Sequence, residues 1–290
     1  MSSPIRFAAQ LPHQLVERAV LAALDEDLGL AGDLTSQATL APSATATATL
    51  SAREPGIIAG LDLAAAVFRL VGPGVTFTPH LADGTAIAAG GIVASVSGPA
   101  RAVMAAERVA LNFLNHLSGI ATLTRTYADA VKGTQTQICD TRKTIPGMRA
   151  FQKYAVRCGG GANHRYSLDD AILIKDNHIA VAGGVTAAYQ AAARFAGHLV
   201  AIEIEVASLA ELEEALAAGA RIVLLDNMDN ATLAQAVALN GGRARLEASG
   251  NVKLDRVRSI AETGVDFIST SQITMGAKPL DLGLDVTIGG

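Results

Sequence analysis

The chain has 290 residues, half of them apolar and 17% charged, with a formal net charge of −4. A chain of this length buries about three quarters of its unfolded surface and needs no disulfide staples. The low charge and frequent Ala argue against disorder, the acidic balance gives no reason to expect nucleic acid, and no apolar run is long enough for a membrane span. Only Cys139 and Cys158 are present, without metal-like spacing to His. The opening MSSPIRFAAQLPHQ carries no signal-type apolar core, so a reduced, cytoplasmic enzyme is the expectation.

Residues 13–28 (HQLVERAVLAALDEDL) place apolar side chains at helical spacing. From Ala44 to about Gly98 the signals are strand-like: TATATLSA, GVTFTP and ADGTAIAAGGIVASVSG, punctuated by Gly, with LDLAAAVFRL between them reading as a helix. Together they predict a small α+β domain. A long helix follows from Ala102 to about Ala130, with Val109, Phe113, Leu117 and Ile120 as its apolar stripe. Gly119 interrupts that stripe and weakens the case for an unbroken helix.

A different rhythm starts near residue 136. Short apolar runs recur at 137–140, 171–176, 201–206, 221–226, 245–249 and 266–270. Helix-like stretches lie between them at Val181–Phe195, Ser208–Ala218, Asp229–Leu239 and Leu254–Thr263, and Gly219 and Gly264 stand where helix C-caps are expected. Strand–helix alternation at this pitch predicts a parallel sheet with right-handed crossovers, buried on both faces because nearly every strand position is apolar. An irregular barrel and an open doubly wound sheet both fit. No GxGxxG opens a helix after a strand, which weakens a dinucleotide-binding reading.

Each of these strands ends in polar residues: Asp140, Thr141, Arg142 and Lys143; Lys175, Asp176, Asn177 and His178; Glu203 and Glu205; Asp226 and Asn227; Ser249, Gly250 and Asn251; Ser269, Thr270 and Ser271. In parallel α/β folds the site lies at the carboxyl ends of the strands. One polar strand end is ordinary. Six in a row, with Lys and Glu inside runs such as ILIKD and IEIEV, point to a site, since charges are seldom buried without partners.

The charges also divide by type. Residues 142–175 hold seven basic side chains (142, 143, 149, 153, 157, 165 and 175) against Asp169 and Asp170, a local +5 in a −4 chain. The next two strands end in acids. A cationic half beside an acidic half predicts an anionic substrate with a divalent metal, Mg²⁺ when the ligand is phosphorylated. The SGN and STS turns precede helices, where backbone N–H groups cradle phosphate. GGGANHR (159–165) reads as a loop against a ligand, presenting His164 and Arg165. His178 reads as a hydrogen-bonded structural His before a metal ligand, and neither Cys has a visible base partner.

In order along the chain stand EDLGLAGDLTS (26–36), ERVALNFLNHLSGIATLT (107–124), DTRKTIPGMR (140–149), GGGANHRYSLDDAILIKDNH (159–178), EIEV (203–206), LLDNM (224–228) and EASGNV (247–252). This series closely resembles the quinolinate phosphoribosyltransferase family, over nearly the whole length. The resemblance implies a reaction in which quinolinate and phosphoribosyl pyrophosphate give nicotinate mononucleotide, pyrophosphate and CO₂, with Mg²⁺, as a step of de novo NAD biosynthesis. It implies an N-terminal α/β sandwich domain (1–115) joined by the C-terminal segment 277–290, and an incomplete α/β barrel (116–276). It also implies a homodimer or larger assembly in which Arg108 of the ER motif reaches the neighbour's site.

Carried over residue by residue, the resemblance implies that Arg108, Arg142, His164, Arg165 and Lys175 hold the quinolinate carboxylates, with Thr141 nearby. Lys143 is implied between the ring and the pyrophosphate, Glu205 and Asp226 at the ribose hydroxyls and Mg²⁺, and Ser249, Gly250, Asn251, Ser269, Thr270 and Ser271 at the 5′-phosphate. Lys143, Lys175, Glu205 and Asp226 are the implied catalytic set. Ser271 and Met275 depart from the pattern, which often has Gly and commonly His there. Three rivals stand beside this reading: a barrel lyase with Lys175 as a Schiff-base amine, separated by borohydride trapping; a silent ligand-binding barrel, separated by calorimetry with quinolinate; and a close relative acting on another aromatic acid, since Arg and His contacts suit any planar dicarboxylate.

Overall fold

The computed structural model describes residues 10–287. The elements run α1 (His13–Leu28), α2 (Leu34–Thr39), β1 (Thr45–Ala52), β2 (Gly56–Ile57), α3 (Leu61–Leu70), β3 (Thr76–Pro79), β4 (Ala86–Ile87), β5 (Ile92–Pro99) and α4 (Ala100–Ala130). There follow β6 (Gln137–Cys139), α5 (Arg149–Gly159), β7 (Ile172–Ile174), α6 (Asp176–Ala182), α7 (Val185–Phe195), β8 (Ile202–Val206), α8 (Leu209–Ala217) and β9 (Ile222–Asp226). The last are α9 (Asn230–Asn240), β10 (Arg245–Ser249), α10 (Leu254–Ala261), β11 (Phe267–Ser269), α11 (Gln272–Met275) and β12 (Leu282–Thr287). The reading of the opening residues as lacking a signal-type core falls mostly on 1–9, outside the described residues.

The chain forms two compact units, one made of residues up to Leu123, 150–160 and 277 onward, the other of Thr124–Arg149 and Gly161–Gly276. In the first unit an antiparallel sheet runs β12-β1-β5-β3. The alternation TATATL buries Ala46, Ala48 and Leu50 and leaves Thr45 and Thr47 exposed, as a half-covered sheet requires. β12 pairs with β1 from Leu282 opposite Ala52 to Thr287 opposite Thr47, so the C-terminal segment closes the edge of this sheet. α1 buries Val16, Val20 and Leu24, and an Arg69–Glu17 pair at 2.9 Å links it to α3.

α4 is unbroken through Gly119. A Cβ at that position would stand 2.1 Å from the Lys278 carbonyl oxygen. The glycine is there so that backbone can pass over the helix, not to bend it. α5 lies inside the stretch that the sequence reading assigned to the barrel, yet it packs in the first unit. Phe151 meets Phe113 edge-on at 6.5 Å, Gln152 and His116 hydrogen-bond at 2.8 Å, and the Tyr154 hydroxyl donates to Asp83 at 2.6 Å. Lys153 and Arg157 of the basic run therefore belong to this unit.

The second unit holds six parallel strands in the order β6-β11-β10-β9-β8-β7. Numbered within this unit, that is strand one beside strand six and then down to strand two. It is barrel order with one seam left open, since β6 and β7 do not pair with each other. The helix expected over 181–195 is two, α6 and α7, separated by Gly183 and Gly184 at φ +89° and +130°. Paired residues in parallel strands point to the same face. The register therefore sets Leu173, Glu203, Glu205, Leu224, Asp226, Glu247, Ser249, Phe267 and Ser269 on one face, and Ile174, Ile204, Val223, Leu225, Ala248 and Ile268 on the other. The second set is buried. The first carries the site.

Candidate active site

The cationic side is built at the open seam. Gly160, at φ +94°, turns the chain out of α5. The next residues then run along the free edge of β6, where Ala162 bridges Cys139 in parallel, its N–H donating to Ile138 at 2.8 Å. Asp140, wholly buried, accepts the His164 backbone N–H at 2.9 Å and the Asn163 side-chain amide at 2.5 Å. The GGGANHR segment is thus an added edge, pinned by a carboxylate, that delivers His164 and Arg165 beside the DTRKT loop.

That loop is fixed from several directions. Thr141 Oγ1 accepts the Lys143 N–H at 3.0 Å, and Thr274 Oγ1 donates to the Lys143 carbonyl at 2.8 Å. Arg149 donates to Thr144 Oγ1 at 3.1 Å and to the carbonyls of Tyr166 and Arg142 at 3.2 and 3.4 Å. Arg149 is therefore a brace of the loop. Arg142 is half-buried and Lys143 exposed. The Nε atoms of Arg142 and Arg165 are buried without a partner. Burial first, and then Arg142 nearby, pull the Arg165 guanidinium below its ordinary value. Two like-charged, under-partnered guanidiniums are an arrangement that an anion relieves.

The acidic side begins at Lys175, whose Nζ meets Glu205 at 2.5 Å. Asp226 accepts from the Asn227 amide at 2.8 Å, and the Asn251 amide donates to Asn227 Oδ1 at 3.0 Å. Asn227 and Asn251 both adopt positive φ, +54° and +47°, a conformation that Asn tolerates best after Gly. Gly250, at φ +92°, has no room for a side chain, since a Cβ would lie 2.3 Å from Asn227 Oδ1. The ends of β9 and β10 thus interlock into a small concave turn. The Ser269 hydroxyl donates to Ser249 Oγ at 3.1 Å. Thr270 is buried, its hydroxyl donating to Val252 O and accepting the Gln272 N–H, both at 3.2 Å. Ser271 has ordinary right-handed backbone, so a side chain at this position strains nothing.

Deeper on the same face lies a cluster that the sequence reading passed over. His164 Nε2 stands 2.8 Å from Glu203 and 3.8 Å from Glu247. One ligand-type atom from each of the three lies within 4.8 Å of the others. Desolvation, then the neighbouring Glu203, pushes the Glu247 carboxyl up to about 7. Glu203 had been read only as a strand-end acid, and Glu247 only as part of EASGNV. Glu at every second position of IEIEV, and the alternation of Glu247 with Ser249 in RLEAS, were the available signal.

Other candidates resolve simply. His178 Nδ1 accepts the Lys175 N–H at 3.0 Å and so caps α6, a structural role. Burial above all pushes the Cys158 thiol up to about 12, and Cys139 is buried; neither suits a nucleophile. Arg108 is exposed on α4 in the first unit.

A family profile described as quinolinate phosphoribosyl transferase, N-terminal domain matches residues 33–118, and its C-terminal counterpart matches 120–285. The chain belongs to the quinolinate phosphoribosyltransferase family. A Bacillus subtilis protein named probable nicotinate-nucleotide pyrophosphorylase (carboxylating) is 42% identical over 91% of this chain and 90% of its own. A Mycobacterium leprae protein named nicotinate-nucleotide pyrophosphorylase (carboxylating) is 43% identical over 91% and 94%. The solved nicotinate-nucleotide pyrophosphorylase from Francisella tularensis superposes with a TM-score of 0.92 at 41% identity, covering 96% of this chain and 98% of that one. In this member of the quinolinate phosphoribosyltransferase family the strand-end residues form one series because they follow the strands of one parallel sheet, all at its carboxyl end.

Proposed function

We propose that the chain is a carboxylating nicotinate-nucleotide pyrophosphorylase, transferring the phosphoribosyl group of phosphoribosyl pyrophosphate to quinolinate with loss of CO₂. The observation that carries this reading is the pair Arg142 and Arg165, electrostatically coupled, each with a buried Nε lacking a partner. A planar dicarboxylate with adjacent carboxylates offers matched acceptors to two forks. Lys175 stands at the end of the neighbouring strand and is tied to Glu205, which links the ring side to the ribose side.

In this reading Lys143, exposed at the loop tip, faces the pyrophosphate. The turn of Ser249, Gly250 and Asn251 takes the 5′-phosphate through backbone N–H groups, and Ser271 borders it. Ser269 and Thr270 act from behind, since their hydroxyls already serve Ser249 and Val252. The bond from ribose C1 to the pyrophosphate oxygen breaks, and its electron pair leaves with pyrophosphate. Glu205 and Asp226 stabilise the positive charge left at C1, and the pyridine nitrogen closes the new bond. The ring cation then accepts the electron pair of the C2–carboxylate bond as CO₂ departs, and C2 takes a proton. No covalent enzyme intermediate is needed; positioning and charge carry the rate.

Mg²⁺ fits this donor set. It is usually held by one or two carboxylates together with substrate phosphates and water. Glu205 and Asp226 end adjacent strands on one face. When bound, it neutralises charge on the leaving pyrophosphate. Among the described residues no helix is long and apolar enough to cross a membrane. We place the enzyme in the cytoplasm as a homodimer, with Arg108 of one subunit completing the other's quinolinate site; its exposure on α4 supports that role. The test is release of CO₂ and pyrophosphate from quinolinate and phosphoribosyl pyrophosphate. Mg²⁺-dependent turnover that Lys143→Ala lowers at least about 100-fold is expected; near-normal turnover of that variant overturns the assignment.

A further inference from the structure

Within the second unit, one buried hydroxyl joins the loop of Lys143 to the turn of Ser269, Thr270 and Ser271. Thr274 lies on the single turn α11 and is 2% exposed, so a ligand does not reach it. Its Oγ1 donates to the Lys143 carbonyl at 2.8 Å and stands 3.1 Å from the Ser271 carbonyl. A hydroxyl has one proton to give. The Ser271 carbonyl already accepts the N–H groups of Met275 at 2.8 Å and of Thr274 at 3.2 Å, which fills its two lone pairs. The hydroxyl proton therefore goes to Lys143. Both backbone groups of Lys143 are then held, the N–H by Thr141 within its own loop and the carbonyl by α11. The far end of this strut is anchored in turn. The Thr270 N–H donates to the Cys139 carbonyl at 3.1 Å, and the Thr270 hydroxyl ties Val252 to the start of α11.

We propose that Thr274 is a positioning residue for Lys143, aiming its ammonium at the leaving pyrophosphate from the same turn that borders the 5′-phosphate. This rests on the reading of Lys143 as the pyrophosphate contact. Lys143 is exposed, and its side chain is a flexible stem bearing a point charge. The backbone beneath that stem is what the protein can fix. A residue that only filled space would respond to substitution in the opposite sense. Thr274→Val keeps the shape and loses the donor, which leaves the Lys143 carbonyl short of a partner. Thr274→Ser keeps the donor and loses a buried methyl group.

Calorimetry with pyrophosphate and Mg²⁺, together with steady-state kinetics, tests this on the full chain. Thr274→Val is expected to weaken pyrophosphate binding and lower kcat, each about tenfold, the net effect of one hydrogen bond. Binding of ribose 5-phosphate and KM for quinolinate move less than about threefold. Thr274→Ser stays within about threefold of wild type throughout. The double variant Thr274→Val/Lys143→Ala is no worse than Lys143→Ala alone, since the hydroxyl acts through that lysine. If Thr274→Val does not fold, Thr274→Ala against Thr274→Ser isolates the hydroxyl with the methyl group absent from both. Losses as large in the Ser variant, equal weakening of ribose 5-phosphate, or losses additive with Lys143→Ala overturn the proposal. Wild-type binding of pyrophosphate without turnover of quinolinate overturns the reaction alone; a wild-type protein that binds no pyrophosphate overturns this proposal as well.

Discussion

Glu247 occupies an apolar strand and is almost wholly out of water, within reach of a second buried glutamate. Its carboxyl is pushed from an ordinary 4.5 to about 7, by desolvation and then by Glu203. Between those values the native state keeps a proton that the unfolded chain has released. Stability therefore falls as pH rises through that window, and the full penalty is present above it. Thermal unfolding from about pH 5 to about pH 8 is expected to show this fall, and Glu247→Gln, neutral throughout, to flatten it. An unchanged slope in the variant would mean that Glu247 is ionised in the native state. Gly250 makes a second residue-scale case. Its left-handed backbone and the Asn227 side chain against it leave no space for a methyl group. Gly250→Ala is expected to raise KM for phosphoribosyl pyrophosphate about tenfold or more while quinolinate KM changes little, because the strain falls on the phosphate turn.

At the scale of elements, α4 shows how one glycine can carry two opposite readings. Local propensity marks Gly119 as a weak point, since Gly costs a helix interior about 1 kcal/mol relative to Ala. Its neighbour decides otherwise: the Lys278 carbonyl lies where a Cβ would be. Gly119→Ala is expected to destabilise the protein by about 2–3 kcal/mol despite better helix propensity, read as a lowered urea midpoint. A rise in stability would show that the 277–280 segment moves aside freely. The strands teach the complementary lesson. Their apolar runs were legible as buried, and their polar ends as a site. The two-residue alternation of Glu203 with Glu205, and of Glu247 with Ser249, also encoded a polar inner face, but an acidic residue inside a strand gains meaning only when register sets it beside its partners. Arg149 gains its role in the same way: its three acceptors lie on the loop before it and on the segment reaching Tyr166, and helix spacing says nothing of them.

For the whole molecule, the proposed sharing of Arg108 between the subunits of a homodimer has a direct consequence. Arg108→Ala and Lys143→Ala variants, each inactive alone, are expected to regain about a quarter of wild-type activity when unfolded and refolded together, since half the dimers are hybrids with one intact site of two. No recovery on mixing would place Arg108 in its own subunit's chemistry or outside the site. The sequence alone determined much of this protein. Strand–helix pitch, polar strand ends and a basic run within an acidic chain are local patterns, and local patterns survive in one dimension. So do the motifs from DTRKT to EASGN, which marked the family. Tertiary structure decided the rest: that α5 packs with the N-terminal elements, that β12 closes the sheet begun by β1, that Arg149 braces the loop of Arg142 and Lys143, and that Thr274 donates to the Lys143 carbonyl. Each of these is a contact between residues far apart in the chain, set by which buried polar groups find partners when the elements pack, and sequence spacing does not carry that information.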